Sequence, residues 1–152
     1  MRTRIAKYKD LSAVCRYLTA MHERTGWDFV PINPKVLRES VVNMIRTQHL
    51  VDVLVAEDDD GNVRGVLLAS VDRFFWSKAH YASDVHFIAD GGGASLLTAF
   101  KDWAHRRQCT CIVMAVATDD PRAEMFLEAG GFERRGGAMV CFLTDRPEEK
   151  AA

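Results

Sequence analysis

The chain has 152 residues, 48% of them hydrophobic and 27% charged, with a net charge of −1. That length suits one domain with a sizeable core. With the charge balanced, no global basic field argues for nucleic acid and no run of Lys/Arg argues for an anionic membrane. No apolar run approaches the ~20 residues of a transmembrane helix. The basic start MRTRIAKYKD is followed by no apolar leader region. A cytoplasmic protein is expected, with a single domain over 1–145 and a polar tail over 146–152. Cys15, Cys109, Cys111 and Cys141 include no C-x-x-C pair and lie in apolar stretches, which points to reduced core thiols. The five histidines show no ligand spacing, so no metal is expected.

Along the chain, residues 3–8 alternate weakly and suit a short strand. Leu11, Val14, Cys15, Leu18 and Met21 then recur at helical spacing, with Asp10 placed to cap the helix start and Gly26 to end it. Trp27 and Phe29 fall in an apolar loop. Asn33-Pro34 is a cap followed by proline at the first helical position, and Leu37, Val41, Met44 and Ile45 mark one face of a helix running to about Thr47. LVDVLVAED is a buried strand. Asp60-Gly61-Asn62 turns the chain into a returning strand that extends to Trp76. HYASDVHFI is a third strand of this group. Beyond Gly91-Gly92-Gly93, the residues Leu96, Leu97, Phe100, Trp103 and Ala104 form a helical stripe ending near Arg107. CTCIVMAVA is an apolar strand over 109–117. Asp119-Asp120-Pro121 opens a last helix, with the two aspartates as caps, and glycine closes it. FERRGGAMVCFLT is a final strand or hairpin. The order β-α-α-β-β-β-α-β-α-β predicts an α/β (α+β) domain, a mixed central sheet with helices on both faces.

Strand, glycines, helix is a context in which a helix N-terminus can bind an anion, because the first-turn amides are free and glycine lets a phosphate approach. The run lacks the G-K-[ST] of a Walker loop. Leu96 stands where a dinucleotide fingerprint needs its last glycine. By itself the segment fits a phosphate cradle or a plain turn.

The element order, this loop and PRAEMFLEAGGFERRG together resemble the GNAT acyltransferase superfamily, including its divergent phage-encoded members. The resemblance spans most of the chain. Ala123, Phe126, Gly131 and Phe132 match the family's late motif, and Gly91, Gly92, Gly93 and Ala94 occupy the place of its coenzyme loop. The loop arginine is absent, the loop is short, Leu127 replaces the motif tyrosine and Asp120 its asparagine.

The resemblance implies an acyl-CoA-dependent N-acyltransferase with acetyl-CoA or another acyl-CoA as co-substrate and no metal. Pantetheine would lie between the strands ASDVHFI and CIVMAVA, bonded by backbone groups near Phe87 and Ile88. One amide there would stabilise the oxyanion. Residues Gly91 to Ser95 would hold the pyrophosphate. Asp84 and His86, two apart on one strand and therefore expected on one face, are the candidate bases, with Asp84 favoured. His80 and Tyr81 are weaker candidates. Trp27 and Phe29 would either wall the acceptor site or pack in the core. The implied acceptor is a small-molecule or peptide amine, with no nucleic acid and no membrane, and a homodimer is compatible. A non-catalytic member of the fold, binding CoA or acting by interaction, is the alternative.

Overall fold

The computed structural model describes residues 1–47, 51–116 and 121–135. The chain divides into two compact units, Met1–Asp119 and Asp120–Ala152. The first holds a five-stranded sheet in the order β1 (Arg2–Ile5), β2 (Val51–Glu57), β3 (Val63–Arg73), β4 (His80–Ala89), β5 (Cys111–Val113). Strands β1 to β4 pair antiparallel and β5 joins β4 in parallel. The helices of this unit are α1 (Leu11–His22), α2 (Pro34–Thr47) and α3 (Gly93–Arg106). The second unit contains α4 (Pro121–Ala129).

The near-continuous apolar runs of β2 and β3 are explained by burial on both faces. Alternate side chains divide between two cores, as the period of two requires. Val53, Val55, Val66 and Leu68 pack with Val14 and Leu18 of α1 and Val41 of α2. Leu54, Ala56, Leu67 and Ala69 pack with Leu96, Phe100 and Trp103 of α3. The mixed sheet with helices on both faces is therefore as predicted. Asp52 is the polar exception on β2, only 4% exposed. It accepts hydrogen bonds from Trp103 Nε1 at 2.7 Å and Arg107 at 2.8 Å, which tie the end of α3 to the sheet.

Asn33 caps α2 as predicted, its Oδ1 accepting from the Lys35 and Val36 amides at 3.1 and 3.2 Å. Asp10 does not cap α1. Its carboxylate turns back to accept the Lys7 amide at 2.7 Å and a two-pronged bond from Arg4 at 2.7 and 3.1 Å. Arg4 also binds Glu57 through Nε at 2.7 Å and through its terminal nitrogen. A charged partner with forked geometry outcompetes a neutral helix amide. Burial alone would raise the Asp10 carboxyl, yet Arg4 and the Lys7 amide hold it below the ordinary range.

Three further expectations change. Strand β3 stops at Arg73, and residues 74–79 form the turn into β4. Strand β5 is only Cys111–Val113 rather than 109–117. Cys111 is exposed, not a core thiol, whereas Cys15 and Cys109 are half-buried; all three are free. Cys111 adjoins Ile112, which faces α3, and its own side points away from that core. The helix over α4 is present and ends at Ala129, and Gly131 in the turn beyond it takes a φ of +84° that suits glycine. Residues 132–135 form no strand. The expected strand beyond 135, the caps Asp119 and Asp120, and Cys141 lie outside the described residues.

Replacing Arg4 by methionine leaves Asp10 and Glu57 facing each other with no cation. The expected loss is about 3 kcal/mol of folding free energy, the cost of breaking a buried pair from one side. Urea denaturation at neutral pH measures it, and a loss below ~1 kcal/mol would show that the pair carries no such weight.

Candidate functional site

Pairing of β3 with β4 runs Leu67↔Phe87, Leu68↔His86 and then Ala69↔Asp84, so Val85 is an extra residue on β4. Such a bulge flips the alternation on one side of it. Asp84 shares its face with Ala69, in the α3 core, and His86 with Leu68, on the α1 side. The expectation that Asp84 and His86 share a face is thereby corrected. The parallel ladder to β5 pairs Tyr81, Ala82 and Ser83 with Cys111, Ile112 and Val113 and ends there. Residues 114–116 carry no strand. From Asp84 to Ala89, including Phe87 and Ile88, β4 is laddered to β3 alone among the described residues.

Asp84 sits where the two strands stop pairing. It is half-buried, and its Oδ1 is buried without a hydrogen-bond partner among the described residues. Burial pushes its carboxyl up to about 6, against the opposing pull of its own amide and that of Ala115. At neutral pH it is an anion with an unused lone pair, the state a general base needs. Burial lowers the His86 imidazole, and His22 at the end of α1 lowers it further. His22 Nε2 is itself buried and unpartnered among the described residues.

Gly91 and Gly92 take φ of +86° and +77°. A side chain at Gly92 would also stand 2.8 Å from the Ala56 Cβ. These two glycines fold the loop tightly against β2. Helix α3 then starts at Gly93, and its first i→i−4 bond runs from the Leu96 amide to the Gly92 carbonyl at 3.0 Å. The Gly93, Ala94 and Ser95 amides therefore have no carbonyl within the helix, and the positive end of its dipole lies here. The loop has no cation of its own. Arg64 stands beside it, held by the Asp90 amide bonding to its carbonyl at 2.7 Å and by an ion pair to Asp90 at 3.1 Å. Arg64 was not a sequence candidate. Only the β3–β4 register brings it to the loop, 26 residues before Asp90.

The rings of Trp27 and Phe29 are 5.8 Å apart, and Trp27 is 47% exposed, which disfavours simple core packing. Tyr81 packs on Phe74 at 4.8 Å, and His80 is exposed at the start of β4. Ala123, Phe126 and Leu127 lie half-buried on α4. Among the described residues no three His, Cys, Asp or Glu stand together as metal ligands, and no helix is long and apolar enough to cross a membrane.

Solved structures share this fold. A probable acetyltransferase superposes with a TM-score of 0.76 at 15% identity, over 97% of this chain and 100% of its own. A GNAT family acetyltransferase from Staphylococcus aureus gives 0.67 at 16% identity, over 93% and 98%. An aminoglycoside antibiotic 6'-N-acetyltransferase from Acinetobacter baumannii gives 0.71 at 17%, over 96% and 98%. The fold is that of the GNAT acetyltransferases. No family model and no curated protein matches the sequence. The identities are low, so the likeness to the GNAT structures is one of fold.

Asp84 has a folded pKa above its ordinary 3.8, so folding favours its neutral form. Its contribution is full below about pH 4 and is lost as pH rises through about 6. Asp84→Asn, always neutral, should match wild type near pH 4 and exceed it by about 1–3 kcal/mol above pH 7. Paired denaturant titrations at the two pH values test this. Equal stability at both would place the carboxylate in a solvated setting.

Proposed function

We propose that the protein is an acyl-CoA-dependent N-acyltransferase that passes an acetyl group from acetyl-CoA directly to a primary amine, of a small molecule or a peptide. The observation that carries this reading is the Asp84 carboxylate, raised to about 6, standing where β4 and β5 cease to pair. The likeness of fold to solved acetyltransferases supports this choice of reaction class.

Acetyl-CoA supplies the reactive thioester. The free amides of Gly93, Ala94 and Ser95 suit its pyrophosphate, with Arg64 beside them. Backbone groups of β4 near Phe87 and Ile88 suit the pantetheine amides, and one amide there suits the developing oxyanion. Asp84 takes a proton from the acceptor's ammonium group, directly or through water, and frees the amine lone pair to attack the thioester carbonyl. It is ionised above about pH 6, so it is ready at neutral pH. The departing thiolate, with a pKa near ~8.5, can leave without an acid. Leu127, which cannot donate, is compatible with this. Because the bulge puts Asp84 and His86 on opposite faces, one base suffices and the other residue serves elsewhere.

A non-catalytic CoA-binding module is the second reading. Leu127 in place of an acid, and Asp90 beside the candidate phosphate site, favour it. Asp84→Asn separates the two. In an active enzyme it lowers kcat by about 10²–10⁴ while acetyl-CoA affinity by calorimetry stays near wild type. His86→Ala should cost far less, and the reverse order would move the base to the α1 face. CoA binding with no turnover over a broad amine panel would favour the module.

The loop assignment has its own test. Gly93 opens a helix and is not among the positive-φ glycines, so it accepts a side chain without the strain expected at Gly91 or Gly92. Gly93→Glu should fold normally and bind CoA at least about tenfold more weakly, since a carboxylate would face the pyrophosphate. Unchanged affinity would take the phosphate away from this loop.

A further inference from the structure

The turn between β3 and β4 carries Phe74, Phe75 and Trp76 in succession. Phe75 is 92% exposed and Trp76 70% exposed. Their rings meet edge-on at 4.6 Å, and Phe74 packs against Trp76 at 5.2 Å and Tyr81 at 4.8 Å. The tip is ordered by its own bonds: the Phe74 amide donates to Ala79, the Ser77 amide to Phe74, and the Ala79 amide to Ser77 Oγ. Stacked apolar rings held out in water contribute little to folding, and contiguous exposed aromatics mark a contact surface.

Arg73 and Lys78 flank the rings and are exposed. The acid nearest in sequence is Asp72, at the end of β3, whose carboxylate accepts the Arg73 amide. The turn at the opposite end of the same sheet carries Asp58, Asp59 and Asp60. The net charge of −1 thus conceals a sheet that is acidic at one end and basic with aromatics at the other.

We propose that the β3–β4 hairpin seats the protein on an anionic lipid surface, with Phe75 and Trp76 in the interfacial layer and Arg73 and Lys78 among the headgroups. Aromatic rings favour that layer, and a basic flank adds attraction to anionic lipid. The features disfavour a second copy of the chain. Joining two tips would set Arg73 and Lys78 against their own like. A few rings also fall short of the ~800 Å² per partner of a stable interface. The inference stands apart from the acyltransferase reading and does not use its residues.

Co-sedimentation with vesicles at low ionic strength tests it, using phosphatidylcholine alone and an equimolar mixture with phosphatidylglycerol. Wild type should pellet with the mixed vesicles and much less with the zwitterionic ones. Phe75→Ser/Trp76→Ser should reduce partitioning at least about tenfold, and Arg73→Gln/Lys78→Gln should abolish the preference for anionic lipid. Thermal melts of both variants, altered only at exposed positions, confirm that they fold. Absence of wild-type binding, or equal binding by Phe75→Ser/Trp76→Ser, overturns the proposal. So does a wild-type dimer that Phe75→Ser/Trp76→Ser converts to monomer in sedimentation equilibrium.

Discussion

One extra residue, Val85, governs the geometry of the first unit's open edge. Up to Ser83, β4 has a neighbour on each side; beyond it, among the described residues, β3 alone is paired. The local kink of a bulge and the end of the parallel ladder fall together, and Asp84 stands at their meeting point. Its carboxylate is drawn into the α3 side of the sheet while His86, two residues on, is turned to the other side.

Buried charge is handled in two contrasting ways. Arg4 is shared by Asp10 and Glu57, and Asp52 is shared by Trp103 and Arg107. In both clusters, fixed donors replace the water that burial removes, as buried ions require. Arg107 also lies 5.2 Å from the Trp103 ring centre, adding a cation–π contact. Asp84 is served only in part: its own amide and that of Ala115 act on its carboxyl, yet its Oδ1 remains without a donor among the described residues. A chain that satisfies its other buried carboxylates but leaves one proton acceptor idle has a local conflict of the kind functional sites carry.

Features encoded over a few residues were legible in the sequence. The Asn33-Pro34 cap, the stripes of α1, α2 and α3, the doubly buried β2 and the glycine entry to α3 all follow from local periodicity and backbone chemistry. Features set by distant partners were not. Asp10 has the right place for a cap, but Arg4 and Glu57 claim it from β1 and β2. The bulge is silent because Ser83, Asp84 and His86 put polar groups on both faces, and no apolar alternation marks the slip. Arg64 reaches the glycine loop only through strand register. Phe74 to Trp76 look like strand residues because aromatics favour strands, yet here they form the turn. The resemblance placed the candidate site on β4 and the loop; the burial that distinguishes Asp84 from His86 needed three dimensions.

The open edge of β4 has a consequence for how such a chain drifts over time. Peptide groups do not change when side chains do. A groove lined by main-chain amides and a helix start asks of the sequence mainly a bulge, two residues that tolerate positive φ, and cores of adequate volume. Many sequences meet those terms. The solved structures described above keep the fold at 15–17% identity, which is what a scaffold defined by backbone geometry permits. Side chains around the edge are then free to diverge, and under the proposed reaction differences between descendants would collect at the positions that meet the acceptor.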